Sequence, residues 1–141
     1  MIILDTNVIS ALMRPNPDQS VVKWLDRQPD SSVWTTTITL MELRHGIRIL
    51  PAGQRRELLL GELEAVLREE IEGRYAPFNV AAAEQAANLM ATRKLKGRPV
   101  EFRDTMIAGI VLATNAVLAT RNTAHFSELG SRVIDPWNQN E

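Results

Sequence analysis

The chain of 141 residues contains no cysteine. This absence excludes a disulfide framework and a cysteine-based zinc site, and it is compatible with a reducing compartment. Long apolar runs are also missing. The longest run, from Met106 to Leu118, is interrupted by Thr114 and Asn115 and is shorter than the ~18 residues of a membrane span. The first apolar segment ends at Asp5, too early for a signal peptide. We therefore predict a cytoplasmic protein with no membrane association.

The chain also lacks an excess of charge of either sign, with a formal net charge of −1. This value argues against binding nucleic acid through a general cationic surface. The charges are nevertheless segregated, because glutamates crowd one helix while basic residues precede Asp104. These basic residues predict either a cationic rim beside Asp104 or an ordinary solvated helix end. They are Arg93, Lys94, Lys96, Arg98 and Arg103.

Hydrophobic residues make up 45% of the chain, which is enough to fill one core in a protein of this length. We therefore predict a single domain over residues 1–141. Short apolar strands alternate with helical patterns, which is typical of a parallel sheet covered on both faces. The predicted strands are Ile2–Leu4, Val33–Thr35, a weak one near Tyr75–Phe78, Val117–Ala119 and Arg132–Ile134.

Capping residues support the boundaries between these elements. Asp18 precedes an apolar stripe at helical spacing, and Asn79 begins an alanine-rich run that extends to Lys96. Thr39 and Glu42 have the spacing of a capping box. The segment Gly97-Arg98-Pro99 is predicted to end the alanine-rich helix.

Acidic and amide side chains recur where the predicted strands end. Asp5 directly follows the first strand, Asn122 follows the fourth, and Asp104 falls in the first turn of the helix that leads into the fourth strand. In open parallel sheets, functional crevices lie outside the carboxyl ends of the strands. Glu42 lies at the border of the apolar face of its helix, from which a carboxylate can reach the same crevice.

Converging carboxylates repel one another, and a divalent cation removes that repulsion. Oxygen ligands suit Mg²⁺ or Mn²⁺, which polarise phosphate oxygens and activate water, so the pattern favours nuclease chemistry. Each residue also has a simpler interpretation. Asp5 could only cap the helix that follows it, Asp104 could only interact with a helix dipole, and Glu42 could only complete the capping box. The coincidence of the three with Asn122 favours a metal site.

In these motifs the chain resembles the PIN-domain ribonucleases, and within them the VapC and FitB-like toxins of bacterial toxin–antitoxin pairs. The resemblance extends over essentially the whole length and depends on the order and spacing of several segments rather than on one motif. These segments are Ile3-Leu4-Asp5-Thr6-Asn7-Val8-Ile9-Ser10, Met41-Glu42-Leu43-Arg44-His45-Gly46-Ile47, Gly97-Arg98-Pro99 leading to Asp104 and Ile107-Ala108, Leu118-Ala119-Thr120-Arg121-Asn122-Thr123-Ala124-His125-Phe126, and Val133-Ile134-Asp135-Pro136-Trp137.

The resemblance implies a three-layer α/β/α fold with a mostly parallel central sheet of four to five strands. It also implies an endoribonuclease that depends on Mg²⁺ or Mn²⁺, with Asp5, Glu42 and Asp104 as the metal-binding acids. Asn122 stands where relatives often have another aspartate, and is included among the catalytic residues. The implied partners are an RNA substrate such as tRNA, a protein antitoxin, and a second copy of the chain in a homodimer.

Several neighbouring residues have weaker expected roles. Asn7 could orient Asp5, and Thr6 and Thr120 could bond a water or a phosphate, or only the backbone. For His45 we favour packing on the helix face over proton donation, and for His125 a structural role. The three tryptophans, Trp24, Trp34 and Trp137, could stack on bases. Their apolar neighbours favour packing in the core or at a subunit interface.

Two other functions fit parts of the pattern. A haloacid-dehalogenase-like phosphatase would use Asp5 as nucleophile, but such enzymes have a second aspartate two residues later, where this chain has Asn7. A non-catalytic binding module would use the acids only to receive an arginine from a partner. The reaction with RNA distinguishes the three functions. Metal-dependent strand cleavage indicates the nuclease, phosphate release without cleavage indicates the phosphatase, and absence of reaction indicates the binding module.

Overall fold

The computed structural model describes residues 1–98 and 101–139. Five strands form its sheet: β1 (Ile2–Leu4), β2 (Val33–Thr36), β3 (Tyr75–Ala76), β4 (Val117–Ala119) and β5 (Val133–Ile134). The α-helices are α1 (Thr6–Leu12), α2 (Gln19–Asp26), α3 (Thr37–Arg48), α4 (Gln54–Val66), α5 (Val80–Leu95) and α6 (Phe102–Thr114). A π-helical turn, Leu67–Ile71, extends α4, and 3₁₀ turns cover Asp30–Ser32, Thr123–Arg132 and Pro136–Asn138.

The strands pair in the order β3-β2-β1-β4-β5, and every pairing is parallel. The chain builds outward from β1, first through β2 and β3 on one side and then through β4 and β5 on the other. The direction of winding therefore reverses between β1 and β4. In open parallel sheets a ligand crevice forms at this reversal, outside the carboxyl ends of the two strands.

Helices cover both faces of the sheet, because successive side chains of each strand point to opposite sides. On one face, Leu4 and Ala119 pack with apolar residues of α1 to α4 and of the π-helical turn. On the other face, Ile3 and Leu118 pack with residues of α5, α6 and the 3₁₀ segment that follows β4. The result is the predicted three-layer α/β/α architecture with a parallel central sheet.

The helix starts agree with most of the sequence signals. The Asp18 carboxylate accepts a hydrogen bond from Ser20 N at 2.9 Å and caps α2, and Asn79 caps α5 by accepting from Ala82 N at 3.0 Å. The predicted capping box is wrong. Thr36, not Thr39, caps α3, because its hydroxyl accepts from Thr39 N at 2.9 Å. The last residue of the predicted helix end, Pro99, lies outside the described residues.

The packing of α6 against α5 depends on a close approach at Gly109. A Cβ atom added there would lie 2.5 Å from the Ala82 carbonyl oxygen and 2.9 Å from Ala86 Cβ. Backbone approaches of this kind exclude any side chain larger than hydrogen.

Across the described residues, every helix is too short or too polar to cross a membrane.

Candidate active site

Asp5 lies at the end of β1, where the strand passes directly into α1. Its backbone N–H donates to the Ala119 carbonyl at 3.0 Å and so continues the ladder between β1 and β4. One carboxylate oxygen, Oδ1, accepts from Thr6 N at 2.8 Å and caps α1. The residue is only 5% exposed. Asp5 therefore caps α1 with Oδ1, and this contact leaves the second oxygen, Oδ2, for other partners.

That second oxygen is held by a side-chain network from β4. Asp5 Oδ2 accepts from the Thr120 hydroxyl at 2.8 Å and from Asn7 Nδ2 at 3.4 Å. Thr120 Oγ1 also accepts from Asn7 Nδ2 at 3.2 Å and from Asn122 N at 3.1 Å. Asn7 Oδ1 in turn accepts from Arg121 N at 3.1 Å. Asn7 orients Asp5 as predicted, and the network fixes the segment after β4 against the start of α1.

Glu42 and Asp104 approach the same place from α3 and α6. Glu42 Oε1 lies 3.5 Å from the Thr6 hydroxyl, and Glu42 Oε2 lies 3.5 Å from Arg103 NH1. Asp104 stands in the first turn of α6, as predicted, and its Oδ2 lies 3.0 Å from His125 Nδ1. Both carboxylates are partly buried, with 19% and 22% of their side chains exposed. Glu42 thus has two polar partners and Asp104 has His125 beside it.

The electrostatics of the acids reflect their mutual proximity. Burial raises the pKa of Asp5, and the Asp104 carboxylate raises it further, while the hydrogen bonds from Thr120 and Thr6 oppose the shift. Burial also raises the pKa of Glu42; Arg103 opposes this, and the charges of Asp5 and Asp104 add to it. Like charges each disfavour the ionised state of their neighbours. The three predicted acids are therefore close enough to interact, although they come from distant parts of the chain.

The acids line a single open cleft of about 450 Å³. Asn122, which directly precedes the 3₁₀ segment, lines the same cleft and is exposed. The structure thus brings together all four residues that the sequence singled out. The complete lining comprises Asp5, Thr6, Asn7, Ser10, Ala11, Arg14, Asp18, Glu42, Asp104, Arg121, Asn122 and Trp137.

The two histidines differ in how they compare with expectation. His125 has 59% of its side chain exposed, its imidazole contacts Asp104, and its carbonyl accepts from Arg93, so its structural role stays a prediction. His45 is exposed on α3 and is absent from the cleft lining, so neither packing nor proton donation describes its position. All three tryptophans pack as predicted: Trp24 is buried, Trp137 packs against the same core, and Trp34 packs against the core on the other face of the sheet.

The predicted basic run is divided between the surface near Asp104 and the interior: Arg103 lies 3.5 Å from Glu42, and Arg98 lines a small pocket with Asp104. Arg93 is only 5% exposed and its guanidinium binds both carboxylate oxygens of Glu128 at 3.0 Å. It also donates to the His125 carbonyl at 2.8 Å and lies 3.4 Å from the Thr105 hydroxyl. Arg93 therefore joins α5 to α6 and to the 3₁₀ segment. The rest of the basic run does not line the cleft either.

Sequence reasoning missed the cationic side chains that do line the cleft. Arg14 lies in the loop after α1, and Arg121 follows Thr120 at the end of β4. The Arg121 guanidinium carbon lies 4.9 Å from the ring centroid of Trp137. The position of Arg121, immediately after a strand at the sheet reversal, was a signal that could have identified it. Arg14 carries no comparable signal.

The donor set of the cleft suits a hard divalent cation, because it consists of carboxylate and amide oxygens. Among residues 1–98 and 101–139, no three histidine or acidic side chains form a ready-made metal cluster. Glu42 lies 3.5 Å from Arg103, and Asp104 lies 3.0 Å from His125.

The parallel sheet, with its winding reversed at a cleft that acids from three elements line, defines a doubly wound α/β domain with an acidic crevice. The family model for the PIN domain matches residues 2–131. The chain belongs to the PIN-domain family.

Individual relatives cover nearly the whole chain. The VapC ribonuclease Y4jK of Sinorhizobium fredii is 39% identical over 97% of this chain and 98% of its own length. Toxin FitB of Neisseria gonorrhoeae is 35% identical over 97% of this chain and 99% of its own length. The crystal structure of FitAcB from Neisseria gonorrhoeae matches with a TM-score of 0.86 and 34% identity, covering 99% of this chain and 100% of that chain.

Proposed function

We propose that this protein is a divalent-metal-dependent endoribonuclease that acts as the toxin of a toxin–antitoxin pair in the cytoplasm. One observation carries the enzymatic part: Asp5, Glu42, Asp104 and Asn122 line one cleft at the reversal point of the sheet. Membership of the PIN-domain family and the similarity to a VapC ribonuclease support the same activity.

Asp5 and Asp104 would hold the cation, with Glu42 as a further ligand, and the neutral Asn122 side chain would add an amide oxygen. Glu42 and Asp104 would then exchange Arg103 and His125 for the cation. Mg²⁺ or Mn²⁺, when bound, supplies Lewis-acid polarisation of the scissile phosphate and lowers the pKa of water. Thr120 and Asn7 keep Asp5 Oδ2 directed into the cleft throughout.

The remaining step of hydrolysis requires a base for the attacking water. Glu42 is placed for this role because its carboxyl lines the cleft with Asp5 and Asp104, and a positioned carboxylate can take a proton from water. We infer that Glu42 accepts the proton at a carboxylate oxygen while water attacks phosphorus in line. The bond from phosphorus to the ribose oxygen of the neighbouring nucleotide breaks, and that oxygen takes a proton from solvent as it leaves. Arg103, freed from Glu42, is placed to offset phosphate charge.

Asn7 argues against the phosphatase alternative. Its amide donates to both Asp5 and Thr120, so it serves as a positioning group for Asp5 and not as a second acid. Incubating the protein with a mixed RNA pool, with Mg²⁺ or with EDTA, tests the proposal. Strand scission that needs Mg²⁺ supports it. Phosphate release without scission would favour the phosphatase, and no reaction at any metal concentration would favour a binding module.

The antitoxin part of the proposal is supported by the relatives, one of which is a toxin, and by the charge of the cleft. A guanidinium from a partner protein fits among acids that already attract Arg103. An apolar groove of about 580 Å³ shares Thr6 and Glu42 with the acidic cleft and offers a neighbouring docking surface. Co-expression with small proteins encoded nearby should identify one that binds the chain and restores growth. If none did, the toxin assignment would fail.

We also propose a homodimer. Two large apolar side chains near the adjoining ends of α5 and α6 are strongly exposed, Leu95 at 89% and Phe102 at 63%. Contiguous exposed apolar patches mark contacts between proteins, and these two side chains would contribute to such a patch. Sedimentation of the purified chain should give twice the mass of 15.8 kDa, and a monomer at micromolar concentration would contradict the proposal.

A further inference from the structure

The acidic cleft also contains cationic side chains. Its lining includes Arg14 from the loop after α1 and Arg121 from the segment after β4. Asp18, whose carboxylate interacts electrostatically with Arg121, lines the cleft as well. Within residues 1–98 and 101–139, Arg14 and Arg121 are the only basic side chains that line the cleft. Both are exposed. In that part of the chain, neither of them has a carboxylate within salt-bridge distance.

Neighbouring residues hold both the backbone and the side chain of Arg121. Its backbone N–H donates to Asn7 Oδ1, which belongs to the network that fixes Asp5. Its guanidinium lies over the ring of Trp137, 4.9 Å from the centroid, a distance typical of a cation–π contact. Trp137 is itself anchored, since its ring packs against the core and its backbone N–H donates to Asp135 Oδ1 at 2.9 Å. The guanidinium is therefore oriented before any ligand arrives.

A polynucleotide in this cleft faces a conflict of charge. The scissile phosphate must lie at the acids, which repel it, while the neighbouring phosphates need cationic partners. Arg103, which lies 3.5 Å from both Glu42 and Glu101, is assigned to the scissile phosphate and does not line the cleft. An arginine fork matches phosphate oxygens in geometry as well as in charge. Arg121 and Arg14 are the cleft residues able to meet that need.

We propose that Arg121 and Arg14 form a subsite for an RNA phosphate adjacent to the scissile one, and that Trp137 positions Arg121 for it. This inference rests on the proposed ribonuclease function and deepens it, because it assigns the part of the cleft that binds the strand. Arg121 and Arg14 contact substrate, whereas Trp137 acts through Arg121.

Binding can be measured without cleavage, by the fluorescence anisotropy of a labelled mixed-sequence oligoribonucleotide in EDTA. Arg121→Ala should weaken binding about tenfold, the effect of one charge-assisted contact. It should also lower the slope of log affinity against log salt by about 0.7, the value for one single-strand phosphate. Arg14→Ala should lower the same slope. The control Arg48→Ala removes an exposed arginine outside the cleft and should leave affinity and slope unchanged.

Trp137 needs a test that separates positioning from direct stacking on a base. Trp137→Leu should weaken binding in the wild-type background and have no further effect in the Arg121→Ala background, because coupled residues are not additive. Additive losses would overturn the positioning role. Thermal unfolding checks the fold, and Trp137→Phe, which keeps an aromatic ring, should retain most of the affinity.

The outcomes distinguish this inference from the proposed function. If the wild type cleaves RNA but Arg121→Ala and Arg14→Ala bind with its affinity and salt slope, the subsite is refuted and the ribonuclease stands. If losses were as large for Arg48→Ala, binding would be general electrostatics and the subsite would be refuted. A wild type that neither binds nor cleaves RNA would overturn both.

Discussion

The buried ion pair between Arg93 and Glu128 gives the sharpest prediction for the stability of the fold. Only 6% of the Arg93 side chain and 13% of the Glu128 side chain are exposed. Arg93 binds both oxygens of Glu128 and also the His125 carbonyl. The pair thereby attaches the 3₁₀ segment after β4 to α5. We predict that Glu128→Gln strongly destabilises the protein.

The expected magnitude follows from this burial. Removing one partner of a buried ion pair typically costs ~3–5 kcal/mol, because the other charge stays buried without compensation. Glutamine still offers Arg93 one acceptor oxygen, so we expect the lower end, about 3 kcal/mol. In a chain of this size that loss corresponds to a fall of roughly 10 °C in melting temperature. Glu64→Gln, which removes the partly exposed pair with Arg44, should cost under ~1 kcal/mol.

Chemical denaturation of the two variants, followed by circular dichroism, measures both values. The pH dependence supplies a second check. The hydrogen bond from Arg93 lowers the pKa of Glu128 below its ordinary 4.5, so its contribution is present above that value and is lost as pH falls through the folded pKa. The gap between wild type and Glu128→Gln should therefore shrink in acid. Equal, small losses for Glu128→Gln and Glu64→Gln at neutral pH would refute the reasoning.

Three further predictions concern the metal site and the helix packing. Excess Mn²⁺ should raise the melting temperature of the wild type. Asp5→Asn should reduce that rise without lowering the melting temperature of the metal-free protein. Asparagine retains the helix cap, and the loss of a buried charge offsets the lost hydrogen bond to Thr120. Asn122→Asp should tighten Mn²⁺ binding in calorimetry and destabilise the metal-free protein, since it adds a carboxylate to a repulsive cleft; equal affinities would place Asn122 outside the site. Gly109→Ala should destabilise the fold by about 1–3 kcal/mol, because its Cβ would meet the Ala82 carbonyl at 2.5 Å; an unchanged denaturation midpoint would contradict this packing.

Local patterns in the sequence were sufficient for the elements and for the acids of the site. Strand β1 passes directly into Asp5, and the rule for parallel sheets places a residue in this position at the edge where functional crevices form. Asp18 and Asn79 have the side chains that favour helix caps, and they cap α2 and α5. These features depend on residues close in sequence or on the rule for parallel sheets, so no tertiary information was needed.

The sequence did not predict pairings between distant residues. Arg93 belongs to a basic run for which a solvated helix end was one of the two predicted alternatives. Its partner Glu128 is 35 residues away in the sequence, and only the fold places the two side chains in contact. The same applies to His125, which reaches Asp104 because the 3₁₀ segment folds back onto α6. Thr36 and Thr39 both suit a helix cap, and the continuation of β2 to Thr36 decided between them.

The most direct test of the central claim is cleavage of RNA by Asp104→Asn at saturating Mg²⁺, beside the wild type. Asp104 lines the cleft and raises the pKa of both other acids, and the substitution removes its charge with almost no change in volume. We predict that the variant keeps the circular dichroism spectrum of the wild type and loses cleavage. A folded variant that cleaved RNA at close to the wild-type rate would contradict the assignment of these acids as the catalytic metal site.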